Sequence, residues 1–344
     1  MNDILGSNSA ITKSEIIELL NIKEEVKFNE LLKRARDIRE IHFGNKVFIY
    51  GFVYFSTYCK NNCSFCYYRN SNDILRYRKT EEEIVKHSVM LAKSGVSLID
   101  LTMGEDEEYS SQDSDSISKI ISRIKEATGL PLMISPGLVS ETAIEKFSKS
   151  GADFYALYQE TFNRELFKKL RINQSYDERM NAKASAKKYG MLVEEGILTG
   201  VSESLEDIAN SILEMGNTSA EQLRVMTFVP QEGIPLKRQK FADNLMEEKI
   251  IAIIRIAYPK VLIPASLDIE GIGGLRRRML SGANVVTSII PPSTGYQGVA
   301  QSTMDVEEGG RTVDEVNAIL KDLGMEQGSN EAFSELIREY KNKA

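Results

Sequence analysis

The sequence has 344 residues, a formal net charge of -7 at pH 7 and an isoelectric point near 5.3. An acidic chain without a basic stripe argues against a nucleic-acid-binding surface, and no apolar run approaches the ~20 residues needed to cross a bilayer. We therefore expect a cytoplasmic protein that binds neither nucleic acid nor membranes. Its length admits one large α/β barrel or two ordinary domains.

The first segment predicts a helical N-terminal extension over residues 1–45. An amphipathic stretch covers residues 15–20, and a longer helix is predicted over residues 29–43, with Gly44 placed to end it. A β-rich apolar run over residues 47–55 then predicts the first strand. This strand leads directly into a loop that contains cysteines.

All three cysteines of the chain, Cys59, Cys63 and Cys66, lie in that loop with a CxxxCxxC spacing. Closely spaced thiolates suit iron-sulfur ligation, and three of them leave one iron of a four-iron cluster open to an outside ligand. A structural zinc site usually needs a fourth ligand. A redox pair of Cys63 and Cys66 would leave Cys59 unexplained. Buried thiols without a ligand are the remaining alternative.

Strand and helix patterns alternate through the rest of the chain. Further strands are predicted at residues 97–103, 131–135, 153–159, 191–199, 222–229, 261–267 and 283–290. Eight strands alternating with helices predict an α/β fold, a (β/α)8 TIM-type barrel over residues 46–300. A doubly wound open sheet is the alternative, although no GxGxxG follows the first strand. Residues 301–344 predict C-terminal helices that pack on the barrel.

Charged and polar residues interrupt or end three of these strands. Asp100 lies in the second strand, Arg224 in the sixth, and Ser266 and Asp268 at the end of the seventh. A buried charge is costly unless it has a partner. One arginine can clamp a carboxylate, and two aspartates can each hold an ammonium group, so this set complements a free diamino acid. The alternative is that Arg224 and an aspartate pair across the barrel.

The cysteine spacing, with Phe65 just before Cys66, resembles the signature of the radical S-adenosylmethionine (SAM) enzymes. The resemblance implies a [4Fe-4S] cluster bound by the three cysteines, SAM chelated to the open iron, and Phe65 beside the adenine. Residues 103–106 resemble the Gly-Gly-Glu element of that family, with Met103 in place of the first glycine. This implies that Glu105 holds the amino group of SAM, whereas the plain alternative is an acidic turn.

The same resemblance implies further SAM contacts. Glu160 and Arg179 would contact the ribose and carboxylate of SAM, with Ser135 and Arg171 as additional cofactor-binding residues. Residues 196–200 resemble a glycine-containing element near the adenine. The alternatives are solvated charges on a helix for the two arginines and a simple kink in the barrel for the glycines.

Several segments together resemble the methylornithine synthase family of radical SAM enzymes. These are residues 55–68, 100–106, 134–137, 156–161, 224–228 and 263–268. The resemblance extends from about residue 30 to residue 300. It implies isomerisation of L-lysine to (3R)-3-methyl-D-ornithine through a 5'-deoxyadenosyl radical, the first step of pyrrolysine biosynthesis. Asp100, Arg224, Ser266 and Asp268 would bind the substrate, and a ferredoxin or flavodoxin would be a suitable low-potential electron donor.

Two other functions stay open at this point. Another biotin synthase-like radical SAM enzyme, such as a hydrogenase-cofactor maturase, would share much of the pattern. Biotin synthase itself needs further cysteines for a second cluster, and none remain in this chain. A non-catalytic metal-binding scaffold would neither bind nor cleave SAM. No catalytic residue is predicted beyond the ligands of the cluster and SAM.

Overall fold

The computed structural model describes residues 10–110, 114–237, 245–268, 270–296, 298 and 311–343. The predicted domain boundary between residues 300 and 301, and both ends of the chain, lie outside these ranges. Within them the chain forms an alternating series of strands and helices. None of the helices in these ranges is long and apolar enough to cross a membrane.

Two helices precede the first strand. They are α1 (Lys13–Leu20) and α2 (Glu25–Phe43). Helix α1 begins with a capping box, in which the Thr12 hydroxyl and the Glu15 carboxylate each accept the backbone N–H of the other residue. Helix α2 ends at Gly44, whose φ of 62° favours glycine. The prediction began α2 four residues too late, because its first turn lacks a side-chain cap.

Eight parallel strands form the barrel, with helices around it. The strands are β1 (Lys46–Ser56), β2 (Leu98–Met103), β3 (Leu132–Ser135), β4 (Phe154–Ala156), β5 (Leu192–Thr199), β6 (Gln222–Thr227), β7 (Pro264–Ser266) and β8 (Val285–Ile289). The helices between them are α3 (Glu81–Lys93), α4 (Glu107–Ser110), α5 (Asp115–Thr128), α6 (Glu141–Lys149), α7 (Arg164–Leu170), α8 (Tyr176–Lys188), α9 (Leu205–Asn217), α10 (Met246–Ala257) and α11 (Leu275–Leu280), the last after a 3-10 turn at Gly271–Gly274.

The hydrogen-bonded order of the strands is β6-β5-β4-β3-β2-β1-β8-β7. A parallel bridge between Gln222 and Leu262 joins β6 to the segment before β7 and completes the ring. The predicted (β/α)8 barrel is therefore confirmed, and the open-sheet alternative is wrong. In parallel barrels the carboxyl ends of all strands meet at one face, where active sites lie.

The core lies between the strands and the surrounding helices. The apolar face of α5 consists of isoleucines at helical spacing, all of them buried: Ile117, Ile120, Ile121 and Ile124. Each such side chain stabilises the fold by about 1.5–3 kcal/mol relative to an exposed one. Because this packing involves the outward face of the strands, their inward face is available for polar side chains.

The C-terminal segment covers the opposite end of the barrel. It comprises α12 (Val313–Asp322), β9 (Glu326–Gln327) and α13 (Asn330–Lys341). Strand β9 pairs in parallel with the beginning of β1. The Phe333 ring of α13 packs 4.7 Å from the Phe48 ring and 5.6 Å from the Tyr50 ring, measured between centroids. The sequence pattern did not predict β9, which has only two residues, or α7.

Candidate active site

The cysteine loop follows β1 at the carboxyl face of the barrel. Backbone hydrogen bonds attach it to its surroundings: Lys60 N–H donates to the Glu105 carbonyl at 3.0 Å, and Ser64 N–H donates to the Leu170 carbonyl at 2.8 Å. Leu170 is the last residue of α7. The loop is therefore held between the end of β2 and a helix that the sequence pattern did not predict.

Arg76 organises the same loop from within. Its guanidinium donates to four backbone carbonyls, those of Thr57, Tyr68, Arg69 and Asn72, the last three at 2.9, 2.6 and 3.0 Å. Unpaired backbone carbonyls in a part-buried loop are costly, so one side chain that satisfies four of them fixes the loop's shape. A lone arginine in a polar segment gave no sequence signal for this role.

All three cysteines line one cavity of about 710 Å³. The predicted cofactor-binding residues line it too: Phe65, Glu105, Ser135, Glu160, Arg171 and Arg179. The structure thus gathers residues that are more than a hundred positions apart in the sequence around one space. This grouping is the arrangement that a bound cluster and SAM would need.

The surroundings of the three cysteines favour thiolates bound to iron over thiolates without a bound cation. Burial raises the pKa of Cys59 and Cys66, and the neighbouring cysteines raise it further. Three adjacent thiolates therefore need a compensating cation, which iron would supply. In the described part of the chain, no three His, Cys, Asp or Glu side chains converge as ligands of a single ion. A four-iron cluster does not require that, since each cysteine binds a different iron.

Two glycines allow the close packing at this cavity. A Cβ on Gly104 would lie 2.2 Å from the Tyr58 carbonyl oxygen and 2.8 Å from Cys59 Cβ. A Cβ on Gly137, whose φ is +76°, would lie 2.0 Å from Glu105 Cγ. Only glycine leaves room for the cysteine loop at the first position and for the Glu105 side chain at the second.

The resemblance implies that Glu105 holds the amino group of SAM, so Gly137→Ala is expected to weaken SAM binding at least about tenfold, because the new methyl group displaces the Glu105 carboxylate. Gly190→Ala is the matched control, since Gly190 has the same φ of +76° but a Cβ added there would meet nothing within 4 Å. Both variants carry backbone strain of about 1 kcal/mol or more. SAM affinity measured by anaerobic calorimetry should fall only in Gly137→Ala, and an equal loss in both variants would contradict the explanation.

Two buried ion pairs hold the acidic residues of this cavity. Arg179 contacts Glu105 at 3.3 Å, and Arg171 contacts Glu160 at 2.6 Å. The Glu105 carboxylate also accepts the Leu138 N–H at 2.9 Å. Within the described residues, the Nε atoms of both arginines lack a hydrogen-bond partner. Each guanidinium thus keeps donor capacity that a bound ligand could use.

Glu160 has an unusual backbone that explains why the predicted fourth strand was too long. Strand β4 ends at Ala156, and the chain rejoins the sheet only at Glu160, with a φ of 66° and a bridge to Ile197. Positive φ is rare outside glycine and costs free energy, so it is retained where surrounding contacts impose it. The resulting bend turns the Glu160 side chain toward Arg171.

Glu203 is a further residue that the sequence pattern did not single out. Its carboxylate accepts the Thr199 hydroxyl and the backbone N–H groups of Gly200 and Val201, at 2.7, 2.6 and 2.7 Å. These contacts fix the end of β5, the glycine-containing element assigned by resemblance to the region near the adenine. The signal was a glutamate three residues after Gly200, in a segment dense with turn-forming residues.

A second cavity of about 770 Å³ adjoins the first and shares several lining residues with it, including Phe65, Cys66 and Glu160. Three predicted substrate-binding residues, Asp100, Arg224 and Asp268, line this second space. Ser266 does not line it; its hydroxyl accepts the Asp268 N–H at 3.2 Å and so orients that residue.

Arg224 is paired, but with a glutamate. Its Nε lies 2.6 Å from Glu194 Oε1, and the Tyr158 hydroxyl donates to the other Glu194 oxygen at 2.9 Å. The expected alternative of an Arg224–aspartate pair is therefore wrong in its partner. Among the residues described, the Nη2 atom of Arg224 has no hydrogen-bond partner although it is buried. That leaves one nitrogen of the guanidinium unpaired beside the cavity.

The two aspartates have different surroundings. Asp100 accepts hydrogen bonds from Ser135 at 2.9 Å and Thr102 at 3.1 Å. Burial, followed by the charge of Glu194, raises the pKa of Asp100 to about 7. Asp268 accepts the Tyr54 hydroxyl at 2.9 Å and pairs with Arg311 at 2.7 Å.

Comparison with known proteins shows the relationships of the chain. A model of the Radical SAM superfamily matches residues 53–215. The 3-methylornithine synthase of Methanosarcina acetivorans is 44% identical over 328 residues, which cover 95% of this chain and 93% of that protein. The same enzyme of Methanosarcina barkeri is 45% identical over 327 residues, with the same coverage.

A solved structure and a more distant relative agree with this. The crystal structure of methylornithine synthase (PylB) matches with a TM-score of 0.92 at 44% identity, covering 97% of this chain and 99% of that one. The [FeFe] hydrogenase maturase subunit HydE of Thermotoga maritima is 32% identical over 287 residues, 82% of this chain and 81% of that protein. Sequence, coverage and fold together show that the chain belongs to the 3-methylornithine synthase family of the radical SAM superfamily.

Proposed function

We propose that this protein isomerises L-lysine to (3R)-3-methyl-D-ornithine, using the [4Fe-4S] cluster and SAM of the radical SAM superfamily. The observation that carries the proposal is the charged second cavity, which directly adjoins the cavity lined by the three cysteines. A substrate held there would lie beside the place where SAM is cleaved.

The charge of the second cavity complements lysine. Among the described residues around this space, three buried carboxylates, of Asp100, Glu194 and Asp268, face two guanidiniums, of Arg224 and Arg311. With Asp100 ionised, this set carries one excess negative charge, which matches the single net positive charge of lysine. Without a cationic substrate Asp100 can remain protonated and neutral, whereas an ammonium group gives its carboxylate a counter-charge and favours ionisation.

We assign the individual contacts from the same geometry. The unpaired Nη2 of Arg224 is suited to the substrate carboxylate, to which it can donate a charge-assisted hydrogen bond. Asp100 and Asp268 are suited to the two ammonium groups. Because Asp268 already pairs with Arg311, it would share its second oxygen between Tyr54 and the substrate.

The first cavity supplies the cofactor contacts in this proposal. The cluster would be bound by Cys59, Cys63 and Cys66, and the Glu105 carboxylate would accept a hydrogen bond from the amino group of SAM. Glu160, Arg171 and Arg179, which form a buried set of ion pairs around this space, would contact its ribose and carboxylate. Phe65 and Ser135 line both cavities and so would lie at the junction between SAM and lysine.

When bound, the reduced cluster and SAM supply a carbon-centred radical that removes a hydrogen atom from the substrate. The protein's own contribution is to position the substrate and to exclude water and other hydrogen donors. Apolar side chains of Phe52, Leu198, Met226 and Phe228 form part of the cavity wall. No acid or base is required for hydrogen-atom transfer, so the charged residues act by binding.

Lysine binding is expected to strengthen as pH rises through the pKa of Asp100. Below its pKa of about 7 the carboxyl is protonated and neutral, and above it the carboxylate can pair with an ammonium group. Between about pH 6 and pH 7.5 the affinity should increase roughly five- to tenfold, following the ionised fraction. Anaerobic calorimetry with SAM-loaded protein measures this. In Asp100→Asn the lysine affinity should no longer change with pH over this range. If it changes with pH as in the wild type, Asp100 is not the group responsible.

The function itself is tested by anaerobic incubation of the iron-reconstituted protein with dithionite, SAM and L-lysine, followed by mass spectrometry. A lysine isomer together with 5'-deoxyadenosine is the expected result. Deoxyadenosine without an isomer would retain the radical SAM class and favour a maturase-like substrate. Replacing dithionite by reduced ferredoxin or flavodoxin tests the proposed electron donor in the same assay.

A further inference from the structure

Gln174 lies in the turn between α7 and α8, outside every motif that the sequence pattern singled out. Its side chain reaches the cysteine loop, where Nε2 donates to the Cys63 sulfur at 2.9 Å. The turn itself is fixed by Asn173, whose φ is 59°, and by the hydrogen bond from Gln174 N–H to the Arg171 carbonyl at 3.0 Å. The side chain is therefore presented from a defined position.

The orientation of the Gln174 amide follows from its neighbours. Its Oε1 atom accepts from Arg171 Nη1 at 3.3 Å and from Arg179 Nη1 at 3.4 Å. A guanidinium can only donate, so the oxygen must face the two arginines and the NH2 group must face the sulfur. Arg171 Nη1 also approaches the Cys63 sulfur at 3.9 Å.

Cys63 differs in this respect from the other two cysteines. The Cys59 sulfur accepts hydrogen bonds from the backbone N–H groups of Asn61 and Glu105, and the Cys66 sulfur accepts one from the backbone N–H of Tyr68. Within the ranges that the structure describes, the side-chain donors to cysteine sulfur come from Gln174 and Arg171, and both act on Cys63. The hydrogen bonds at this sulfur therefore depend on side-chain identity.

We propose that Gln174 is a positioning residue that raises the reduction potential of the cluster through its hydrogen bond to Cys63. The proposal rests on the assignment of the cluster to the three cysteines. Reduction adds negative charge that is shared by the ligand sulfurs, and a donor at a sulfur stabilises the reduced form more than the oxidised one. The two arginines hold the amide in the donating orientation, so the pairs with Glu105 and Glu160 also support the cluster.

The test is an anaerobic redox titration of the reconstituted protein, followed by electron paramagnetic resonance, without SAM or lysine. Gln174→Met removes the donor at similar length, and Gln174→Glu keeps the shape while placing an acceptor beside the sulfur. Both variants should shift the midpoint potential to lower values, Gln174→Glu further than Gln174→Met. Asn173→Gly is the control, because it keeps the left-handed turn and should leave the potential unchanged.

An unchanged potential in both Gln174 variants, at iron content equal to that of the wild type, would overturn the proposal. If Gln174→Met loses iron, the midpoint potential of Gln174→Glu compared with that of the wild type tests the proposal instead. Loss of iron from both, with the barrel still folded by circular dichroism, would assign Gln174 a structural role only and also overturn the proposal. Because lysine is absent from the titration, these results are independent of whether the protein is a lysine mutase.

Discussion

The Cys63→Ser protein is expected to fold as a barrel and to lose SAM cleavage by at least about 100-fold. A serine oxygen is a poor ligand for iron in a sulfur-bound cluster, and losing one of three thiolates leaves the cluster too few protein ligands. The barrel should survive, because its core lies between strands and helices and the cysteine loop is fixed by Arg76 and backbone contacts. Deoxyadenosine formation, iron content and far-ultraviolet circular dichroism measure these three properties.

Ser64→Ala is the matched control for this experiment. Ser64 is the buried neighbour of Cys63, and its hydroxyl makes one long contact of 3.4 Å to the Leu170 carbonyl. This variant should retain iron and SAM cleavage within a few-fold of the wild type. Full SAM cleavage in Cys63→Ser would show that Cys63 does not bind the cluster.

The Asp268→Asn protein is expected to lose lysine turnover by at least about 100-fold in kcat/KM while SAM binding changes little. The carboxylate is the proposed contact of a substrate ammonium group, and a buried charge-assisted contact of this kind is worth about 2–5 kcal/mol. Asp268 lines the second cavity and is not among the residues that line the first. Steady-state kinetics with lysine, alongside calorimetry with SAM, separate the two effects.

Asp268 also pairs with buried Arg311, so Asp268→Asn removes a negative charge that lies beside a buried guanidinium. This alone can destabilise a protein by about 3–5 kcal/mol. The double variant Asp268→Asn, Arg311→Gln removes both charges and should recover thermal stability without recovering lysine turnover. Recovery of turnover in the double variant would show that the loss came from the altered surroundings of Arg311, and would exclude Asp268 as a substrate contact.

The barrel was predictable because hydrophobic periodicity and turn residues are local signals. The apolar face of α5 and the capping box of Thr80 and Glu83 at the start of α3 are each encoded within a few residues. Strand β4 was predicted too long because the left-handed backbone of Glu160 is imposed by contacts with β5, which no local pattern contains.

The site was only partly predictable for a related reason. A charge inside a strand, such as Arg224, is conspicuous in a sequence, but its partner is decided by the alternation of neighbouring strands. Glu194 and Glu195 are adjacent, yet Glu194 faces Arg224 in the barrel and Glu195 faces Lys183 on the helix side. Arg311 was missed because it approaches Asp268 from a segment beyond the eighth strand.

The pairing of the two ends of the chain affects the order in which the protein is completed during synthesis. Strand β1 is among the first elements made, yet its beginning pairs with residues 326 and 327. The negative charge of Asp268 is likewise paired with Arg311 only after residue 311 has been synthesised. A nascent chain still held by the ribosome at residue 300 would contain every barrel strand but would lack both contacts. The substrate cavity and the beginning of β1 are therefore completed only after all eight barrel strands have been synthesised, and removal of residues 311–327 would affect the substrate cavity as well as the distant end of the barrel.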